Sequence, residues 1–210
     1  MSTMNETMAD EAFFIPSDDK VSTSESTSKY PPSVVEGEYL GHIVDARNIT
    51  REFAKDGNQV KATIFNFKVK VAKENTVNSY NVKGRTVDGA EYTDKHIMAD
   101  GVFRFLEPKD GDAFVSNAEG NKRYLMFCQS LGMEIPTHER TINGKTVTVQ
   151  SLPDVGVNDL NGTPVIAVVG KGKPWTDDTG TERPSWKVKF TKQWTDGEKI
   201  TTINTDDLPF

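Results

Sequence analysis

Cys128 is the only cysteine among 210 residues. A lone thiol excludes an internal disulfide and any multi-cysteine metal site, and it fits a reducing cytoplasm. No run approaches the ~18 apolar residues that a membrane-spanning helix needs. The N-terminus has no basic stretch followed by an apolar one, so no secretory signal is expected. Histidine is scarce as well. His42, His96 and His138 stand far apart, and no two share the spacing of a metal-binding pair on a helix. Asp94 and His96 can share a strand face, but they read as a surface pair. Gly170-Lys171-Gly172-Lys173 lacks the spacing of a phosphate-binding P-loop and the Ser or Thr that follows its Lys. Carboxylates abound without a two-metal pattern. These absences argue against an enzyme, a nuclease included, and no metal or cofactor is expected.

What is present is unevenly spread. The apolar fraction is 35% and the net charge is −6. Residues 1–36 carry a net −5 and residues 195–210 a net −3, which leaves +2 for the residues between them. A mildly basic body between two acidic ends fits a polyanion binder better than the total charge does. Residues 1–33, rich in Ser, Thr and acid and closed by Tyr30-Pro31-Pro32, read as a disordered arm whose one apolar island is Ala12-Phe13-Phe14-Ile15-Pro16. Residues 195–210 read as a flexible acidic tail.

The body, residues 34–194, reads as mainly β. Residues 38–46 alternate imperfectly and suggest a first strand, and Asp56-Gly57 signals a hairpin turn. Residues 60–72 give the clearest strand. Thr63, Phe65, Phe67, Val69 and Val71 share one face, and Asn66, Lys68 and Lys70 share the other. One or two strands follow over residues 91–106. The period then changes: Tyr124, Phe127, Cys128 and Leu131 fall on one helical face, Ser116 to Glu119 has capping-box spacing, and Gly132 supplies a left-handed stop. Cys128 on that face is expected to be a buried small hydrophobe rather than a nucleophile. Asn143-Gly144 marks a small hairpin, Pro164 to Val169 a strongly apolar strand, and residues 185–194 a last strand with Trp186, Val188 and Phe190 on one face. The order matches an OB-fold-like five-stranded barrel with its helix between the third and fourth strands.

The last five residues, Asp206-Asp207-Leu208-Pro209-Phe210, combine acid, a proline-restricted extended backbone, an aromatic ring and a carboxylate. Such a hook suits an apolar pocket rimmed by Arg and Lys on a partner. It resembles the acidic, Pro-Phe-ending tip of bacterial-type single-stranded DNA-binding proteins. The body resembles small phage proteins of that functional group in layout: Gly37-Glu38-Tyr39 opens the first strand, Leu131-Gly132 ends the helix, and Leu160-Asn161-Gly162-Thr163-Pro164-Val165 precedes an apolar strand. The resemblance implies binding of single-stranded DNA without sequence preference during replication, recombination or repair. It also implies docking of replication and recombination proteins onto the tip, and competition between tip and DNA for a basic groove. It carries over no DNA-contact residues.

Those contacts are sought where cations interleave with rings, since single strands are held by a positive groove and by aromatic stacking. One stretch runs through Lys171, Lys173, Trp175, Arg183, Trp186 and Trp194; the other joins Tyr80, Lys83, Arg85 and Tyr92. Trp175, in a loop flanked by Gly and Pro, either stacks on bases or folds back on the body. Trp186, Phe65 and Phe67 share faces with core residues, and Trp194 is open. Lys61, Lys68, Lys70, Lys187 and Lys189 offer a phosphate track, though each alone reads equally as a solvated strand face. The rival readings are a β-barrel adaptor without nucleic-acid affinity and an enzyme. Oligomeric state is open.

Overall fold

The computed structural model describes residues 33–55, 58–106 and 118–201. The acidic arm up to Pro32, the Asp56-Gly57 turn, Ser116 of the expected helix cap and the C-terminal pentapeptide lie outside them. The described residues are mainly β, with one long helix. Among the described residues, no helix is long and apolar enough to cross a membrane.

The first strand, β1 (Gly37–Lys55), pairs antiparallel with β2 (Asn58–Val71) over nearly its whole length. On β2 the alternating pattern is realised from Phe65 onward: Phe65, Phe67, Val69 and Val71 are buried, and Asn66, Lys68 and Lys70 lie on the opposite face, whereas Thr63 is half-buried and Ala62, on the other face, is fully buried. On β1 the alternation is broken by a bulge between Val44 and Arg47, with Asp45 at φ +50°. One extra residue changes which parity faces inward. Ile43 and Ala46 therefore both reach the core. That break explains why the sequence pattern fades after residue 46 while the strand continues to Lys55.

The other edge of β1 receives β9 (Pro164–Lys171), and β9 receives β12 (Trp186–Gln193). The other edge of β2 receives β5 (His96–Met98) and β6 (Val102–Leu106). The main sheet thus has six strands in the order β12-β9-β1-β2-β5, with β6 also on β2, rather than five. The third expected strand is split because the register shifts by one residue between Met98 and Val102. Gly101 sits at the shift, where a Cβ would lie 3.0 Å from Ile64 Cγ2. The two ends of the sheet touch at one parallel bridge, Ala99 to Val188, with Asp100 N–H donating to the Val188 carbonyl at 3.0 Å. Among the described residues no further ladder joins those ends, so continuous hydrogen bonding does not close the sheet.

Helix α1 (Ala118–Ser130) covers the inner face. Tyr124 stacks on Phe65 at 5.6 Å and Phe127 on Phe67 at 5.4 Å, with Cys128 fully buried beside them. Burial of each such side chain contributes roughly 1.5–3 kcal/mol relative to exposure. Gly132, at φ +77°, ends the helix: its N–H donates to Gln129 O, and Met133 N–H donates to Cys128 O. This pattern is the Schellman motif, which needs a residue free to enter the left-handed region.

Among the described residues three hairpins leave the sheet. β3 (Ser79–Val82) and β4 (Arg85–Asp88) lie between 3-10 turns at Lys73–Val77 and Gly89–Tyr92. β7 (Thr137–Ile142) and β8 (Lys145–Gln150) flank the expected Asn143-Gly144 turn. β10 (Trp175–Thr176) and β11 (Glu182–Arg183) interrupt the connection from β9 to β12. A short helix, α2 (Val157–Leu160), precedes β9. Residues after 194 do not leave the body at once. Ile200 N–H donates to Gly162 O at 3.0 Å, and the Glu198 carbonyl lies 3.0 Å from His42 Nε2. At Gly162, φ is +81° and a Cβ would overlap the Ile200 carbonyl, so glycine is required twice over. The body therefore extends at least to Ile200, past the expected boundary at Trp194.

Candidate nucleic-acid interface

The sequence names five rings for base stacking, and the structure separates them. Tyr80 and Tyr92 are buried and are corrected to core residues. Tyr80 stacks on Tyr39 at 4.3 Å, and Tyr92 meets both rings edge-on. The Tyr80 hydroxyl donates to the Glu38 carbonyl at 2.6 Å. Burial pushes that hydroxyl up to about 12, so it stays protonated. Neither ring has a free face for a base. Trp186 is half-buried against the core. Trp194 is half-buried with its ring 5.5 Å from His42, and Gly197 lies close over it. Trp175 alone stands out, 54% exposed on β10 and opposite Arg183 of β11.

The hairpin that carries Trp175 is organised by Asp177. Its Oδ1 accepts from the Thr179 hydroxyl, the Thr179 N–H and the Thr181 N–H, and its Oδ2 accepts from Arg183 Nε at 2.7 Å. The Thr179 hydroxyl foremost, then Arg183 and the Thr181 N–H, hold the Asp177 carboxyl down at about 2. The side chain is thus an anionic staple for the turn.

Phe190 also departs from expectation. A register shift between Val188 and Phe190 turns Phe190 outward, 50% exposed, and brings Thr191 inward to meet Ser130 Oγ. The extra residue, Lys189, reverses the parity that the sequence implied.

The basic residues fall into two groups. Lys68 pairs with Asp45, Lys70 with Asp94, Lys189 with Asp100 and Arg183 with Asp177. The Lys68 and Lys70 ammoniums, foremost by hydrogen bonding, hold the Asp45 and Asp94 carboxyls below their usual range. Lys61, Lys83, Arg85, Lys171, Lys173 and Lys187 have no ion pair among the described residues. Exposed pairs of the first kind are worth about 0–1 kcal/mol, so a phosphate can displace the carboxylate at little cost. Lys83 and Arg85 sit on the β3–β4 hairpin, a two-stranded sheet separate from the main sheet that carries Lys68 and Lys70.

The sequence reading missed the outer face of the β1–β2–β6 sheet. Arg47, Ile49, Arg51 and Phe53 alternate along β1 past the bulge, and cross-strand register sets Ile49 against Ile64 and Ile64 against Phe103. Ile49 is 43% and Phe103 37% exposed. Phe53 meets Phe103 edge-on at 6.2 Å, and Phe103 stacks on the buried Phe105 at 6.0 Å. The same strand face continues along β2 through Asn66, Lys68 and Lys70, and onto β5 through His96 and Met98. Apolar and aromatic side chains thus lie at one end of a strand face and cations along the rest. The cation–apolar alternation from Arg47 to Phe53 is the available signal, and it lies past residue 46, where the sequence pattern predicts the first strand to end.

Among the described residues no cluster of His, Cys, Asp or Glu is arranged to hold a metal ion. No family model, curated protein or solved structure matches this chain.

Proposed function

We propose that the chain binds single-stranded DNA without reading its sequence, through the outer face of β1, β2, β5 and β6 together with the Trp175 hairpin, and that it performs no chemistry on the strand. The observation that carries this reading is the Ile49–Phe53–Phe103 surface flanked by Arg47 and Arg51. Exposed rings beside cations on one sheet face are what an unpaired strand needs, because every base offers a ring face and every nucleotide a phosphate. The fold reading that goes with it is an OB-like body. Its support is the strand order, the position of α1 before β9 and the parallel bridge between Ala99 and Val188. In that reading residues 206–210 recruit replication or recombination proteins of a bacterial or phage system.

Titration of oligo-dT against Phe103→Ala and Trp175→Ala tests the proposal. Each variant is expected to lose about tenfold to a hundredfold in affinity, on the order of 1–3 kcal/mol per stacked base, with thermal stability unchanged in Trp175→Ala and slightly lowered in Phe103→Ala by the lost contacts to Phe53 and Phe105. Wild-type affinity in both would remove the reading. Deleting Asp206 to Phe210 is expected to leave DNA binding unchanged or tighter while partner binding is lost.

One observation favours a second reading. Four of the expected phosphate ligands are already matched by carboxylates, which suits an adaptor that binds only proteins. A gel shift with single-stranded oligonucleotide at low salt separates the two: no retarded species leaves the adaptor.

A further inference from the structure

The β7–β8 hairpin stands apart from the other two. β3–β4 is anchored by Tyr80 and Val87 in the core, and β10–β11 is stapled by Asp177. On β7–β8, Val149 is half-buried and every other side chain that the structure describes is exposed. A two-stranded hairpin alone is marginal in water and gains most from a further strand.

Among the described residues no other strand pairs with either edge, and the two edges differ. The connection is two residues long, Asn143 at φ +51° and Gly144 at φ +74°, so Ile142 and Lys145 form the first hydrogen-bonded pair. Pairs alternate from there: Val147 and Val149 direct their backbone groups toward β7, and Thr146, Thr148 and Gln150 direct theirs outward. The open edge of β7 carries Glu139 and lies beside His138 and Arg140, the charged residues that ordinarily guard an edge. The open edge of β8 has Thr-Val-Thr-Val-Gln, with Lys145 at its start and no proline or acid.

We propose that β8 is a self-association edge, through which two copies of the chain join their hairpins into an antiparallel four-stranded sheet. A twofold axis at Thr148 makes the edge self-complementary. Thr148 faces Thr148 of the second copy, and Thr146 faces Gln150, each pair exchanging both backbone hydrogen bonds. Val147 then lies across from Val149 in the closer, non-hydrogen-bonded pairing. Lys145 lies across from Ser151, so no like charges oppose one another. Closed twofold pairing of one edge with itself also stops at two copies.

Sedimentation across a concentration range and cysteine cross-linking test the proposal. Wild type is expected to form a dimer that dissociates on dilution. Thr148→Pro removes an outward donor without touching the bonds to β7 and is expected to be monomeric. Val147→Lys, at an exposed position, is expected to be monomeric too and guards against a fold defect in the proline variant. Hydrogen-bonded partners sit about 5.5 Å apart between Cα atoms, within disulfide range. Oxidised Thr148→Cys is therefore expected to run as a covalent dimer, while Glu139→Cys and wild type, whose Cys128 is buried, do not. A wild type that stays monomeric at every concentration overturns the proposal. So does a dimer that survives both Thr148→Pro and Val147→Lys, or a pair of variants that lose oligo-dT binding with no change in mass.

Discussion

Asn75 shows how much structure one polar side chain can fix. It is fully buried in a 3-10 turn that the sequence gives no reason to single out. Its Oδ1 accepts from Leu40 N–H at 3.0 Å and from Asn78 Nδ2 at 3.0 Å and lies 3.1 Å from the Tyr80 hydroxyl, and its Nδ2 donates to the Gly89 carbonyl at 3.1 Å. One amide thus ties β1, the β3–β4 hairpin and both 3-10 turns together. Asn75→Ala would strand the Leu40 N–H and the Gly89 carbonyl away from water, and a buried orphan costs about 1–3 kcal/mol. The expected loss in urea unfolding is about 3 kcal/mol. Phe103 lies on a different face, so oligo-dT affinity of the folded fraction is expected to stay at the wild-type value. The outcome would distinguish a scaffold residue from one that touches a ligand.

At the scale of elements, the β10–β11 hairpin has a titratable fastener. Asp177 has a folded pKa of about 2, below its ordinary 3.8. A carboxyl depressed on folding adds stability above its unfolded pKa, and that stability is lost as pH falls through the folded value. The turn is therefore expected to hold from neutral pH down to about pH 3 and to open near 2. The readout is the amide shifts of Thr179 and Thr181, both hydrogen-bonded to Asp177. Asp177→Ala, which removes every acceptor, should open the turn at all pH values, whereas Asp177→Asn keeps the Oδ1 acceptor and should lose only the Arg183 contact and the pH dependence. Elements also mark where sequence reading works and where it stops. Strand β2, helix α1 with its Gly132 stop and the Asn143-Gly144 turn were legible because each follows an unbroken period or a turn residue with a specific backbone requirement. The bulges at Asp45 and Lys189 were not. A single inserted residue leaves composition untouched and inverts every side chain beyond it, which is why Phe190 was assigned inward and why Arg47 to Phe53 went unread. Tyr80 and Tyr92 were misassigned for another reason: a ring beside lysines looks the same in sequence whether it faces water or three other elements.

For the molecule as a whole, the layout of a mainly β body with its helix before β9 was readable from element order, whereas the role of the outer sheet face depends on which strands become neighbours, and that is fixed by long-range register. The boundary at the C-terminal side is a matter of the same kind. Gly162 and Ile200 lock together, with His42 and Asp159 receiving or meeting Glu198 and Lys199. A shortened chain that stops at Gln193 would strip this strap from Pro164 and His42, and its thermal midpoint is expected to fall by several degrees, as about 1 kcal/mol shifts a domain of this size by roughly 2–4 °C. A chain that stops at Thr201 should melt with the wild type, and differential scanning calorimetry of the two compares them directly. The Gly162–Ile200 clasp therefore sets the proper scissor point. Trimming at the acidic stretch itself would blunt the protein's heat resistance and could be misread as evidence about whatever the terminal residues recruit.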